Sequence, residues 1–387
     1  MFKTPNAKTR FWISALWFFP LIWYSLQAYF FTHAGHAVYF YNDVSNVYQS
    51  AGQHWFQGLP LYNGSGFGFV YFPTSAAIMA AFSWLPVPVF AFAFRIISIL
   101  SMLFGLQRFS LMFKPEFSSK VYFFTSLVAV ILCQACMREG QMHMLITGLV
   151  LLGLAALAEE QWYCAAFYLA LAVALKPTAI VFALLAFALF PRLSWRLILV
   201  AALMFGATFL LQHPSYVWQQ YVACVHSYQS TFKYDGTNPG HWATLFGALA
   251  FYFDYSMSGA WVFSLRLLFA LLTLGICYRI GKRFGSQQLV CAIFILGMAY
   301  LMLFNSRTEN NDYVMMAPAL GLTLAYAVMA KQRAQLVFHV VLLGLLVMNW
   351  NLCRLLMVQN NIWLSPSLIC LYAIYATVLL AQVRLDA

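Results

Sequence analysis

Phe72-Pro73-Thr74-Ser75-Ala76-Ala77-Ile78-Met79-Ala80-Ala81-Phe82-Ser83-Trp84-Leu85-Pro86 is an apolar run bounded by proline near both ends. From residue 73 to residue 86 it is about 14 residues long, whereas a helix needs roughly 20 to cross a bilayer. If it crossed, Lys114 and Lys120 would fall outside and the bias of basic residues toward the cytoplasm would break. If it stays at the outer surface or re-enters, 14 of the 21 Lys and Arg, from Lys3 to Arg384, fall inside. Residues 73–86 are therefore predicted to be a juxtamembrane helix, with both termini cytoplasmic.

The rest of the chain is built for lipid. Hydrophobic residues make up 63% and mean hydropathy is +0.77, which excludes an ordinary soluble protein. The apolar runs are continuous rather than alternating, which excludes a β-barrel. Twelve spans are predicted, at residues 11–31, 88–112, 121–137, 141–158, 161–175, 177–190, 195–212, 259–281, 287–304, 312–330, 334–350 and 362–382. The first follows a short basic segment and reads as a signal anchor. The net charge of +11 does not point to nucleic acid, because most cations sit in short loops on one side. The eight Cys are scattered, and Cys133 and Cys136 read as small apolar residues rather than a metal or redox pair.

With this threading, seven cations remain in the outer half: Arg95, Arg138, Lys176, Lys233, Arg266, Arg307 and Arg354. Asp43, Glu139, Asp235, Asp254, Glu309 and Asp312 share that side, with every histidine except His339. Chemistry is thus expected on the outer face. Residues 33–72 form the first outer loop, and Asp43 is its only charged residue. A lone carboxylate in an aromatic, Gly-rich loop at a membrane is a candidate catalytic base. It is equally a candidate N-cap for a helix over residues 42–56, which Trp55 and Phe56 would anchor in the interface and Gly58 would end.

Three further segments carry polar groups. Arg138-Glu139-Gly140-Gln141-Met142-His143 breaks two apolar runs, either as a simple outer turn or with Arg138 on a phosphate and Glu139 orienting it or a sugar hydroxyl. Lys176 stands before Pro177 inside a long apolar stretch. A break there brings the ammonium to the surface, where it can meet a lipid phosphate. Residues 305–312 hold Arg307 and Glu309, in a solvated turn or a substrate pocket. The second large outer loop, residues 213–258, is rich in Tyr and Trp, and His241 resumes a helix beside it.

The order Asp43, Tyr48, Gln57-Gly58-Leu59-Pro60-Leu61-Tyr62, then Tyr71-Phe72-Pro73 resembles the GT-C integral-membrane glycosyltransferases. It is most similar to glycosyltransferase family 87, the polyprenol-phosphate-mannose-dependent mannosyltransferases. Glu139-Gly140-Gln141 and Leu175-Lys176-Pro177 resemble two further motifs of that family. The resemblance covers residues 40–180. It implies an all-α polytopic fold, a GT-C-like bundle of about 12 transmembrane helices with juxtamembrane helices in the first outer loop (residues 32–87). It also implies a catalytic module at residues 1–258, followed by C-terminal helices at 259–387. The implied reaction moves a hexose, mannose by this resemblance, with inversion from a polyprenyl-phosphate donor to a lipid-linked or glycan acceptor. Asp43 would be the base. Arg138, Lys176 and Arg307 would bind the donor phosphate, and Glu139, Gln141, Tyr48, Tyr71, His241 and Glu309 would line the substrate site. No cofactor, metal or nucleic acid is expected. The partners are membrane lipid and the two substrates, at the outer face of a bacterial inner membrane. A lipid-glycan flippase and an O-antigen-ligase-like transferase are the competing readings.

Overall fold

Prolines and short polar breaks divide the chain into helices. The computed structural model describes residues 7–33, 44–62, 68–231, 244–253, 257–306, 308–356 and 364–385, and these contain no strand. The helices are α1 (Ala7–His33), α2 (Ser50–Gln57), α3 (Pro73–Ala80), α4 (Val87–Ser110), α5 (Pro115–Leu132), α6 (Gln134–Glu139), α7 (His143–Ala158), α8 (Trp162–Leu175) and α9 (Ile180–Leu189). They continue as α10 (Pro191–Leu211), α11 (Pro214–Thr231), α12 (Leu245–Phe253), α13 (Gly259–Phe284), α14 (Ser286–Phe304), α15 (Ala317–Met329), α16 (Arg333–Leu356) and α17 (Leu364–Gln382). A π-helical turn, Val44–Gln49, precedes α2, and 3-10 turns cover Pro177–Ala179 and Asn310–Met316.

Each of the twelve predicted apolar stretches is helical over most of its length. Among the described residues, six helices are long and apolar enough to cross a membrane: Val87–Ser110, Pro191–Leu211, Gly259–Phe284, Ser286–Phe304, Asn311–Met329 and Leu364–Gln382. Of the remaining helices, α1 and α16 carry shorter apolar stretches, Phe11–Tyr24 and Arg333–Met348, and α7, α8 and α9 are themselves short. At about 1.5 Å per residue, the 16 residues of α7 reach about 24 Å, less than the roughly 30 Å of a bilayer core. Fourteen of those residues are buried, so α7 packs against protein along nearly its whole length.

The chain divides into two compact units. One comprises Ser14–Gly105 and Gln134–Lys233. Its centre is α7 and α8, with α10 packed on α8. Two glycines let α4 approach α7 closely. A Cβ on Gly105 would lie 2.6 Å from the Gly148 carbonyl oxygen, and one on Gly148 would lie 2.3 Å from the Ser101 backbone. Small residues at helix crossings serve the same purpose throughout membrane proteins. The other unit comprises Met1–Ile13, Leu106–Cys133 and Tyr234–Ala387. There α15 lies on α5 at Gly321, whose Cβ would meet the Thr125 backbone at 2.4 Å. Sixteen of the 19 residues of α14 are buried, whereas α13 buries only Val262, Cys277 and Ile280.

Two local expectations change. Helix α3 is eight residues long, shorter than a membrane span, and it is packed into the protein rather than lying free: Pro73, Thr74, Ser75, Ala76, Ala77 and Met79 are buried. Trp55 is buried at 3% exposure and is no membrane anchor, whereas Phe56 is 78% exposed. Gly58 does end α2, in the left-handed conformation (φ 69°, ψ 23°), with its N–H donating to the carbonyls of His54 and Trp55.

In a threading in which α3 does not cross, single cysteines at 116 and 139, in a background without native cysteines, are expected to label differently. A membrane-impermeant thiol reagent applied from outside should modify 139 and leave 116 untouched. Outside labelling of 116 would overturn this threading.

Candidate active site

Four interruptions of helix meet in the unit built on α7 and α8, and each has a local cause. The π turn Val44–Gln49 carries Tyr48; such turns recur at functional sites. Pro73 holds Phe72 extended (φ −64°, ψ 151°) and starts α3 at its first residue, so Tyr71 stays in the loop. Gly140 takes φ +67° between α6 and α7, a conformation natural to glycine. Pro177 holds Lys176 extended (φ −142°, ψ 117°) between α8 and the following 3-10 turn, which is the break predicted there.

Tyr48 is fully buried and joins three of these interruptions. Its hydroxyl donates to Gln141 Oε1 at 3.3 Å, accepts the Met142 N–H at 3.3 Å and lies 3.4 Å from the Tyr71 hydroxyl. Its ring packs on Tyr71 and Phe94, with centroids 5.6 and 5.2 Å away. The fourth interruption joins through Lys176. Its ammonium is 6.0 Å from the Tyr71 ring centroid and is hydrogen-bonded to Nε2 of His143, a residue only 2% exposed.

The turn at 137–141 is held from behind by Arg95, which is 3% exposed on α4. Its Nε donates to the Met137 carbonyl at 2.8 Å. One terminal nitrogen donates to the Arg138 carbonyl at 3.0 Å, the other to the Ala91 carbonyl at 3.1 Å. The same turn presses on Val44, the residue after Asp43. A Cβ at position 140 would come within 2.0 Å of Val44 Cγ2. Arg138 reaches outward and pairs with Glu139 at 2.8 Å, with side chains 56% and 30% exposed. An ion pair this exposed on the arginine side contributes little to stability.

Residues 69–306 match glycosyltransferase family 87. The chain belongs to that family. No curated protein matches it. The matched region takes in Tyr71, Arg138, Glu139, Gln141 and Lys176, and runs well beyond residue 180, where the recognised motifs end. As a member of the family, the protein is a membrane glycosyltransferase, with a sugar donor and an acceptor as its substrates.

The glycosyltransferase places the described part of its first loop against α11. Tyr216 donates to the Leu59 carbonyl at 2.7 Å, the Gln220 amide oxygen accepts the Leu61 N–H at 2.9 Å, and Tyr221 bonds Thr74 at 2.8 Å. Tyr62 donates to the Tyr71 carbonyl at 2.6 Å. Burial, with the Cys224 thiol nearby, pushes the Tyr62 phenol far above its usual range, and burial pushes Tyr216 up to about 12. Both therefore stay protonated and act as donors, not bases. A cavity of about 300 Å³ opens beside Pro177, lined by Phe72, Pro177, Cys224, Val225, Tyr228 and Gln229. Phe72 and Tyr228 stack there, 6.4 Å apart.

Glu309 belongs to the other unit, where it caps the 3-10 turn Asn310–Met316. Its side chain accepts the Asp312 N–H, and its own N–H donates to Asp312 Oδ2 at 2.7 Å. Asp43, Arg307 and His241 lie outside the described residues. Arg95 and His143 are the two site neighbours to which the sequence alone gave no role.

Gly140→Ala combines a left-handed alanine with the overlap on Val44, costing about 2–4 kcal/mol. Thermal unfolding in detergent should show the loss, with transferase activity falling in parallel. Unchanged stability would mean that Gly140 does not seat this turn.

Proposed function

We propose that this glycosyltransferase moves a hexose, mannose in our reading, from a polyprenyl-phosphate donor to a lipid-linked or glycan acceptor. The reaction takes place at the outer face of a bacterial inner membrane. The observation that carries this reading is Lys176: a half-buried lysine at a helix break, its ammonium near the Tyr71 ring and its neighbour Pro177 on the wall of an apolar cavity. A donor with a phosphate joined to an isoprenoid chain suits both neighbours, the phosphate on the cation and the first part of the chain along Phe72 and Val225. Arg138, on the turn at 137–141 of the same unit, is the second phosphate ligand in our reading. Glu139, Gln141, Tyr48 and Tyr71 line the substrates.

The transfer is a single inverting displacement. The acceptor hydroxyl oxygen bonds to the anomeric carbon while the bond from that carbon to the phosphate oxygen breaks. The phosphate leaves with the electron pair, and its charge is balanced by Lys176 and Arg138. The acceptor proton passes to the Asp43 carboxylate. One carboxylate suffices, because no covalent glycosyl intermediate forms.

Asp43→Asn separates the base from the cap. Asparagine can still cap a helix but cannot take a proton at neutral pH. Turnover with a polyprenyl-phosphate mannose donor should fall by about 10²–10⁴-fold, with donor binding retained. Full turnover would remove Asp43 as the base. Lys176→Ala should raise the donor KM by about ten- to a hundredfold, the range expected for a charged hydrogen bond. An unchanged KM would remove Lys176 from the phosphate site.

A further inference from the structure

His143 is buried among apolar side chains, yet its ring meets a cation. It is the first residue of α7, a helix buried along nearly its whole length, so its backbone is fixed; its carbonyl also accepts the Thr147 hydroxyl at 2.7 Å. The preceding residue, Met142, is tied by its N–H to Tyr48. The imidazole Nε2 bonds the ammonium of Lys176, 33 residues further along the chain.

That bond sets the protonation of the ring. An ammonium has three hydrogens and no lone pair, so Nε2 must accept. The imidazole is then neutral, with its proton on Nδ1. An imidazolium there would set two cations against each other in a buried place, at a helix start whose dipole also disfavours positive charge. Lysine, for its part, is a compact charge on a flexible stem. The hydrogen bond to His143 limits where the ammonium can swing from the break before Pro177. With one hydrogen given to His143 and the stem emerging from an extended backbone, the ammonium is held beside Tyr71.

We propose that His143 is a positioning residue of this transferase. By accepting a hydrogen bond from Lys176, it holds the ammonium where the donor phosphate arrives. This rests on the reading of Lys176 as a phosphate ligand. His143 touches neither substrate nor the reacting atoms. It acts through Lys176, so its effect should fall on donor KM rather than on the chemical step.

Two amides test this by geometry. The Gln amide oxygen reaches the place of Nε2, whereas the Asn amide superposes on Nδ1 and stops short of Lys176. His143→Asn should raise the KM for polyprenyl-phosphate mannose about tenfold, with a smaller change in kcat. His143→Gln should restore KM to within about twofold of the parent. In a Lys176→Ala background, His143→Asn should add nothing, because the residue it acts through is gone. Thermal unfolding of each purified variant monitors folding. Should the Asn variant not fold, His143→Ala replaces it under the same criteria. Equal KM values for the Asn and Gln variants, or additive losses in the double variant, would overturn the positioning role. An effect of Lys176→Ala without any effect at His143 would overturn it while leaving the phosphate site intact. No effect of Lys176→Ala would overturn both.

Discussion

A helix that stops inside a membrane protein exposes carbonyl oxygens that water cannot reach, and each must find a donor. At the end of α6 the donor is Arg95. Its guanidinium takes the carbonyls of Met137 and Arg138 while anchored to Ala91 on its own helix. Everything in the candidate site follows from that clamp. With the carbonyls satisfied, the chain can turn through Gly140, seat against Val44, and offer Gln141 and the Met142 N–H to Tyr48. His143 then starts α7 facing Lys176. A lysine would serve Arg95's position poorly, since three carbonyls in a fixed fork match a guanidinium and not a point charge.

What could be read in the sequence depended on whether the cause was local. Pro177 dictates an extended Lys176, and Gly58 dictates the end of α2, because both act on their own backbone. The shortness of the helix within residues 73–86 was also legible, because Pro73 starts it on its own backbone. Trp55 was misread because an aromatic residue looks the same in an interface and in a core; only its neighbours, Tyr216 among them, decide. Arg95 and His143 had no legible role, because their partners lie 42 to 43 and 33 residues away along the chain. Asp43 is the reverse case. Its role comes from motif order and chemistry alone, and it lies outside the described residues.

The two buried histidines among the described residues show how surroundings divide one residue type. In the other unit, His339 on α16 donates through Nδ1 to the Gln335 carbonyl at 2.7 Å and meets the Thr323 hydroxyl through Nε2 at 2.7 Å. Tyr372 approaches the same hydroxyl at 3.4 Å, and Tyr375 bonds the Gln335 side chain at 3.1 Å. These groups join α15, α16 and α17 through neutral partners. That is the usual adhesive between helices where lipid removes the hydrophobic drive. His143, with a neutral ring facing an ammonium, is placed for charge and not for adhesion.

The hydrogen bonds from α11 to the first loop bear on how such enzymes can diverge. Loops that evolve freely are independent of one another, and each can be exchanged without disturbing its neighbour. Here Tyr216, Gln220 and Tyr221 hold Leu59, Leu61 and Thr74 in place. The segment before Tyr71 therefore takes its shape from a helix more than 140 residues later in the chain. Any change in α11 that disturbs these bonds would reshape the ground beneath Tyr71 as well. A chimera that exchanges one of the two segments and not the other would have to remake these hydrogen bonds.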